Sequence, residues 1–158
     1  MDPRQPNVID ALEQALNDTF EGITFSQVLE RRILTETPDL DEDTLAAYID
    51  MPEPISLSVL MVLGRDHARE CFESVAADLD LDSLPPQVLV DFVQELCNTT
   101  AGHFNSILAP EKKDMTIGLP ATCEGEALTA RLTPDEHGIV LAFAVEEHQV
   151  LCALHPVD

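Results

Sequence analysis

From Asn7 to Phe20 the apolar positions Val8, Leu12, Ala15, Leu16 and Phe20 recur at three- and four-residue intervals, the spacing that lays one apolar stripe along a helix. Gly22 is a plausible stop for it. The next stretch, Ile23 to Leu40, carries Phe25, Val28, Leu29, Ile33 and Leu34 in a pattern that fits either a short helix or a strand, before a turn at Thr37-Pro38-Asp39. Leu45 to Met51 and Ile55 to Leu63 are apolar, partly alternating runs separated by Pro52-Glu53-Pro54, and so predict two strands joined by a tight turn. Gly64 closes the second strand. Arg65 to Leu79 then places Ala68, Cys71, Phe72, Val75 and Ala76 on one face, which predicts a second helix.

Ser83 is a candidate cap and Pro85-Pro86 suit a first helical turn, whose amides lack helical partners anyway. A third, long helix is expected from about Leu84 to Leu108, stopped by Pro110. Beyond it, Met115–Leu119, Ala127–Leu132, Ile139–Glu146 and Gln149–Leu154 predict an antiparallel set of strands, with turns at Pro120, Gly125, Pro134 to Gly138 and Glu147-His148. No repeat, low-complexity tract or long linker divides the chain. The expected fold is α/β in the broad sense, more narrowly α+β: one domain over residues 1–158, with helices packed on one face of a largely antiparallel sheet.

Composition narrows the function. With 158 residues of which 45% are apolar, the chain can bury one substantial core. Six Phe, one Tyr and no Trp leave few platforms for stacking bases. Thirty acidic against eight basic side chains give a net charge of −22, which disfavours phosphate backbones and anionic membrane surfaces as partners. The N-terminal residues lack the layout of a signal peptide and no run reaches the ~20 apolar residues of a spanning helix, so a cytoplasmic location is expected. Cys71, Cys97, Cys123 and Cys152 stand more than twenty residues apart, as reduced core thiols would. The five histidines form neither HExxH nor an i,i+4 pair, and no phosphate-cradling glycine loop or serine elbow is present. No metal or other cofactor bound by this chain is expected.

Chemistry concentrates on the third helix. At about 100° per residue, Leu89, Phe92, Val93, Leu96, Thr100, His103, Phe104 and Ile107 fall on one side, expected to face the core. Asp91, Gln94, Glu95, Asn98, Gly102 and Asn105 fall on the other. Glu95 and Asn98, three apart, are surface neighbours. A polar helix face is ordinarily just solvated, but two residues here work against helix stability. Asn is a poor mid-helix residue and Gly102 costs about 1 kcal/mol relative to Ala. A bare position beside a carboxylate and an amide would let a partner's backbone come close.

The run Glu95-Leu96-Cys97-Asn98-Thr99-Thr100-Ala101-Gly102, followed by Ile117-Gly118-Leu119-Pro120 and Gly125, resembles the ELxNxxxG helix and following segment of the CheX family, within the CheC/CheX/FliY group of chemotaxis phosphatases. The resemblance follows the order of elements along nearly the whole chain, and its specific part is ExxN…G. It implies hydrolysis of the aspartyl phosphate of a CheY-like receiver domain. Glu95 would anchor a receiver lysine, Asn98 would act at the phosphoryl group, and Asp91, Gln94, Gly102 and Asn105 would contact the partner. Mg2+ would belong to the receiver. Glu13 and Asn17 in the first helix are one residue too far apart to form a second ExxN, so the single-site CheX pattern fits better than the two-site CheC one. The resemblance also implies a homodimer. A receiver-binding adaptor without turnover is the alternative.

The residue types suit that reaction. An aspartyl phosphate is already reactive, with a loose transition state, so orienting an in-line water accelerates it without a strong base. An amide carries both an acceptor and a donor, and can hold water with one while facing a phosphoryl oxygen with the other. A glutamate, ionised at neutral pH, suits salt bridging rather than acid catalysis.

Overall fold

The computed structural model describes residues 1–112 and 117–157. Helix α1 spans Pro6–Thr24, with proline in its first turn, and buries Val8, Leu12, Ala15, Leu16 and Phe20 as their spacing predicts. It runs through Gly22 and ends at Phe25, whose left-handed backbone (φ 57°) returns its N–H to the Glu21 carbonyl. The ambiguous segment that follows contains strand β1, Val28–Ile33. Strands β2 (Thr44–Asp50) and β3 (Leu57–Gly64) pair antiparallel across the expected turn. Helix α2 covers Arg65–Val75, one turn shorter than expected. Helix α3 runs Gln87–Leu108 and begins after Pro85-Pro86 rather than at Leu84, with Pro86 as its cap residue.

The later elements are β4 (Ala121–Thr122), helix α4 (Gly125–Arg131), β5 (Ile139–Val145) and β6 (His148–Pro156). Two expectations change here. Ala127–Leu132, expected as a strand, lies almost wholly within α4. Leu128 and Leu132 share a face in a four-residue helical repeat as readily as in a two-residue alternation, so so short a segment is ambiguous in sequence. Of the expected strand Met115–Leu119, residues 115 and 116 lie outside the described residues, and Ile117–Leu119 are not in a strand. The pairing begins after Pro120 instead.

The six strands form one sheet in the order β1-β5-β6-β3-β2-β4, every neighbouring pair antiparallel. Alternation along the central strands divides the core. Leu57, Val59, Met61 and Leu63 of β3 join Val150, Cys152 and Leu154 of β6 beneath α1, α2 and α3. Leu60, Val62, Leu151 and Ala153 face the other way and meet Leu128 and Leu132 at α4, together with Leu34, Leu40 and Tyr48. Arg131 fastens that side: its guanidinium lies 3.6 Å over the Tyr48 ring, and Nη1 donates to Ser58 Oγ at 3.1 Å. Among the described residues, no helix is long and apolar enough to cross a membrane.

Helix α3 is fixed from two sides. It lies on β2 and β3, where the buried Cys97 thiol points at the carbonyls of Ala47 (3.6 Å) and Val59 (3.7 Å). It also packs along α1, where the buried hydroxyls of Thr19 and Thr100 meet at 2.8 Å. All four cysteines are free and buried. Burial pushes the Cys71 and Cys97 thiols up to about 12 and raises that of Cys152 further, which leaves them inert at neutral pH.

Candidate functional site

The buried stripe of α3 consists of Val93, Leu96, Cys97, Thr100, Ala101, Phe104 and Asn105. Its centre lies about 60° further round the helix than the large apolar residues alone suggest. The cause is the sheet. Cys97 and Ala101 lie on the line that rests on the sheet, where the Cys97 thiol approaches the carbonyls of Ala47 and Val59. Large residues mark the flank instead: Leu89 and Phe92 are half-buried, with Phe92 meeting Phe72 of α2 edge-on at 5.4 Å. His103 is also half-buried and Ile107 is 41% exposed, against the expectation that both would face the core.

The same rotation sorts the polar residues. Glu95 and Asp91 are exposed, while Gln94, Asn98 and Gly102 are half-buried. Asn105 is the exception and a correction. Expected to contact a partner, it is buried to 1% exposure, and its Nδ2 donates to the Lys112 carbonyl at 3.3 Å, which ties down the chain leaving α3. A side chain so enclosed serves the fold rather than a docking surface.

Glu95 and Asn98 therefore project from adjacent turns of a rigid helix, the first into solvent and the second at the border between surface and sheet. Among the described residues neither side chain has a hydrogen-bond or ion-pair partner, whereas Asp91 accepts from Gln87 Nε2 at 2.9 Å. Leaving Glu95 and Asn98 free keeps the carboxylate and both halves of the amide available to a partner. At Gly102 a Cβ would meet nothing among the described residues within 4 Å, so crowding by them does not demand the glycine.

Ligand-type side chains also gather elsewhere. Glu70 of α2, Glu147 and His148 bring one ligand atom each within 4.8 Å of the others. There the His148 Nε2 is engaged by Glu70 Oε2 at 2.7 Å, and its ring stacks on buried His67 at 4.2 Å, which stacks in turn on Phe20. This is a carboxylate–imidazole pair bracing the β5–β6 turn against α2. Sequence spacing offered no signal for it, since the partners are 78 residues apart.

Residues 45–144, which include β2 through most of β5 and all of α3, match the family model described as chemotaxis phosphatase CheX. The chain belongs to the CheX family. No protein of curated function matches it. Among solved structures, the CheX fold recurs in a CheC-like superfamily protein from Shewanella sp. PV-4, with 12% identity, 96% of this chain and 97% of that one covered, and a TM-score of 0.67. A CheX from Borrelia burgdorferi, solved in a complex with CheY, BeF3 and Mg2+, has 12% identity, coverage of 96% and 98%, and a TM-score of 0.66. CheX from Vibrio vulnificus has 17% identity, coverage of 94% and 97%, and a TM-score of 0.63. At such identities the likeness extends to the fold alone. In this CheX-family chain ExxN falls on the solvent side of α3, the longest of the described helices, which packs on both α1 and the sheet.

Proposed function

We propose that this CheX-family domain, spanning residues 1–158, is a cytoplasmic phosphatase that hydrolyses the aspartyl phosphate of a CheY-like response regulator. The observation that carries the reading is the pairing of Glu95 and Asn98 on the outward face of α3, both without partners among the described residues, beside the uncrowded Gly102. In this mechanism Glu95 pairs with a receiver lysine and sets the register of docking. The Asn98 amide enters the phosphoryl site, where it orients water in line with the phosphorus. Positioning of this kind supplies roughly a hundredfold in rate, which corresponds to about 2.7 kcal/mol. Mg2+ is held by the receiver's acidic pocket, not by this chain. The B. burgdorferi CheX complex, which contains CheY and Mg2+, supports a receiver as the partner.

The test is loss of phosphate from a phosphorylated receiver with Mg2+. Asn98→Ala should abolish acceleration while binding survives, and Glu95→Ala should act mainly by weakening binding. Binding without acceleration by the unaltered protein, across several receivers, would replace the phosphatase with a non-catalytic adaptor.

We also propose a homodimer formed through the sheet. Strand β1 is an outer edge whose Leu29 and Ile33 are more than half exposed, and such an edge presents unpaired backbone groups to a second chain. Sedimentation at micromolar concentration tests this: a monomer for the unaltered chain would overturn it, and Leu29→Lys with Ile33→Lys should dissociate a dimer.

A further inference from the structure

Residues 118–122, ahead of α4, pass along the outer border of the sheet. Ala121 and Thr122 pair with Tyr48 and Ala47 of β2, and the carbonyl of that same Ala47 lies under the Cys97 thiol of α3. Thr122 is therefore level with the middle of the helix. Toward the other end of the segment, a Cβ on Gly118 would sit 3.3 Å from the carbonyl of Asp50, three residues further along β2, and Ile117 packs on the core beneath the helices. Gln87, Val90 and Val93 of the N-terminal half of α3 line one cavity with Thr44, Leu45 and Ala46 at the start of β2, while Cys97 lies over Ala47, so the helix and β2 run in the same direction. Three residues of strand cover about 10 Å, equivalent to six or seven residues of helix. Leu119, between Gly118 and Pro120, is thus brought beside the part of α3 that carries Asn98 and Gly102.

Leu119 is 91% exposed. A scattered exposed leucine needs no explanation. This one is held between Gly118, close against the Asp50 carbonyl, and the β4 pairing, so its position costs little ordering entropy on binding. The neighbouring face of α3 offers a partner carboxylates, amides, a glycine and the Ser106 hydroxyl. The chain's net charge of −22 opposes approach to a receiver's acidic phosphorylation pocket. A short-range attraction that does not depend on charge is what such a face lacks, and an aliphatic side chain seated in a partner's pocket supplies it.

We infer that Leu119 is an apolar anchor that buries itself in the receiver domain when that partner docks on Asn98 and Gly102. The inference rests on the receiver-directed phosphatase proposed above. An anchor that does not touch the reacting atoms contributes equally to ground and transition states, so its loss raises KM and leaves kcat alone.

The experiment measures kcat and KM for dephosphorylation of a phosphorylated CheY-type receiver with Mg2+, using Leu119→Ala, Leu119→Asp and Leu119→Met. The expected result is a KM raised about tenfold by Leu119→Ala and further by Leu119→Asp, near-complete rescue by Leu119→Met, and kcat within twofold throughout. Phe25→Ala, which removes an 87% exposed side chain near the opposite sheet edge, should leave KM unchanged. Unaltered KM in Leu119→Ala, or an equal rise in Phe25→Ala, would overturn the anchor and leave the phosphatase standing. A fall in kcat at constant KM would also overturn it. If the unaltered protein neither binds nor dephosphorylates receivers, the proposed function fails first and takes the anchor with it.

Discussion

Gly102 lies in the interior of α3 on its outward face, where a Cβ would meet nothing among the described residues within 4 Å. Fold stability alone favours another residue there: alanine in a helix interior is better than glycine by about 0.8–1.0 kcal/mol. For a chain of this length, 1 kcal/mol moves Tm by roughly 2–4 °C, so Gly102→Ala should melt about 2–4 °C higher than the unaltered protein. Gly102→Leu should gain nearly as much, because leucine is also a good helix former. Function should move the other way. The leucine side chain would fill the space through which a partner's backbone approaches Asn98, and a loss of at least tenfold in kcat/KM is expected, about 1.4 kcal/mol of transition-state binding. The assay pairs thermal unfolding with phosphate release from a phosphorylated receiver. A stabilised Gly102→Leu protein with unchanged kcat/KM would show the glycine to be incidental. A destabilised one would show that the helix surface is not free.

The buried hydroxyls of Thr19 and Thr100 meet each other at 2.8 Å, and each also lies within 3.0 Å of the carbonyl four residues earlier on its own helix. Thr19→Val or Thr100→Val alone should destabilise by about 0.5–1.5 kcal/mol through loss of the hydrogen bond between the two helices, the remaining hydroxyl keeping the carbonyl of its own helix, and the double variant should cost less than the sum; chemical denaturation of the four proteins measures the coupling. His67 is held well below its ordinary value, at about 4, first by burial and then by the adjacent His148. The unfolded chain therefore takes up a proton that the folded one refuses between about pH 6.5 and 4, so stability is intact above that window and falls through it by up to about 3 kcal/mol. Melting curves of the unaltered protein and of His67→Phe should converge at neutral pH and separate on acidification, with a shallower slope in the variant. Because a net charge of −22 repels an acidic receiver, kcat/KM at subsaturating receiver should rise between low and moderate salt; a steep fall would refute the assignment of long-range repulsion.

The sequence by itself determined much of this molecule because its strongest signals are local. Helical spacing in Val8 to Phe20, alternation in Leu45 to Met51, and the length of the segment ending before Pro110 each depend on residues a few positions apart, and α1, β2 and α3 follow them. The spacing of Glu95 and Asn98 likewise needed only the helix to exist. Ala127 to Leu132 was decided elsewhere. Its two leucines fit a strand or a helix, and α4 forms where they can cover Leu60, Val62 and Leu151 on the second face of the sheet.

The outward face of α3 also required tertiary structure. Helical projection pointed to Phe92, His103 and Ile107 as core, but the contact with β2 and β3 lies along Cys97 and Ala101, which carry Asn105 inward with them. The same contact left Asn98 at the border, where a segment about twenty residues later in the chain brings Leu119 alongside. Which side of a helix is bare depends on what packs against the others, and those partners, β2, β3 and α1, lie tens of residues away in the chain.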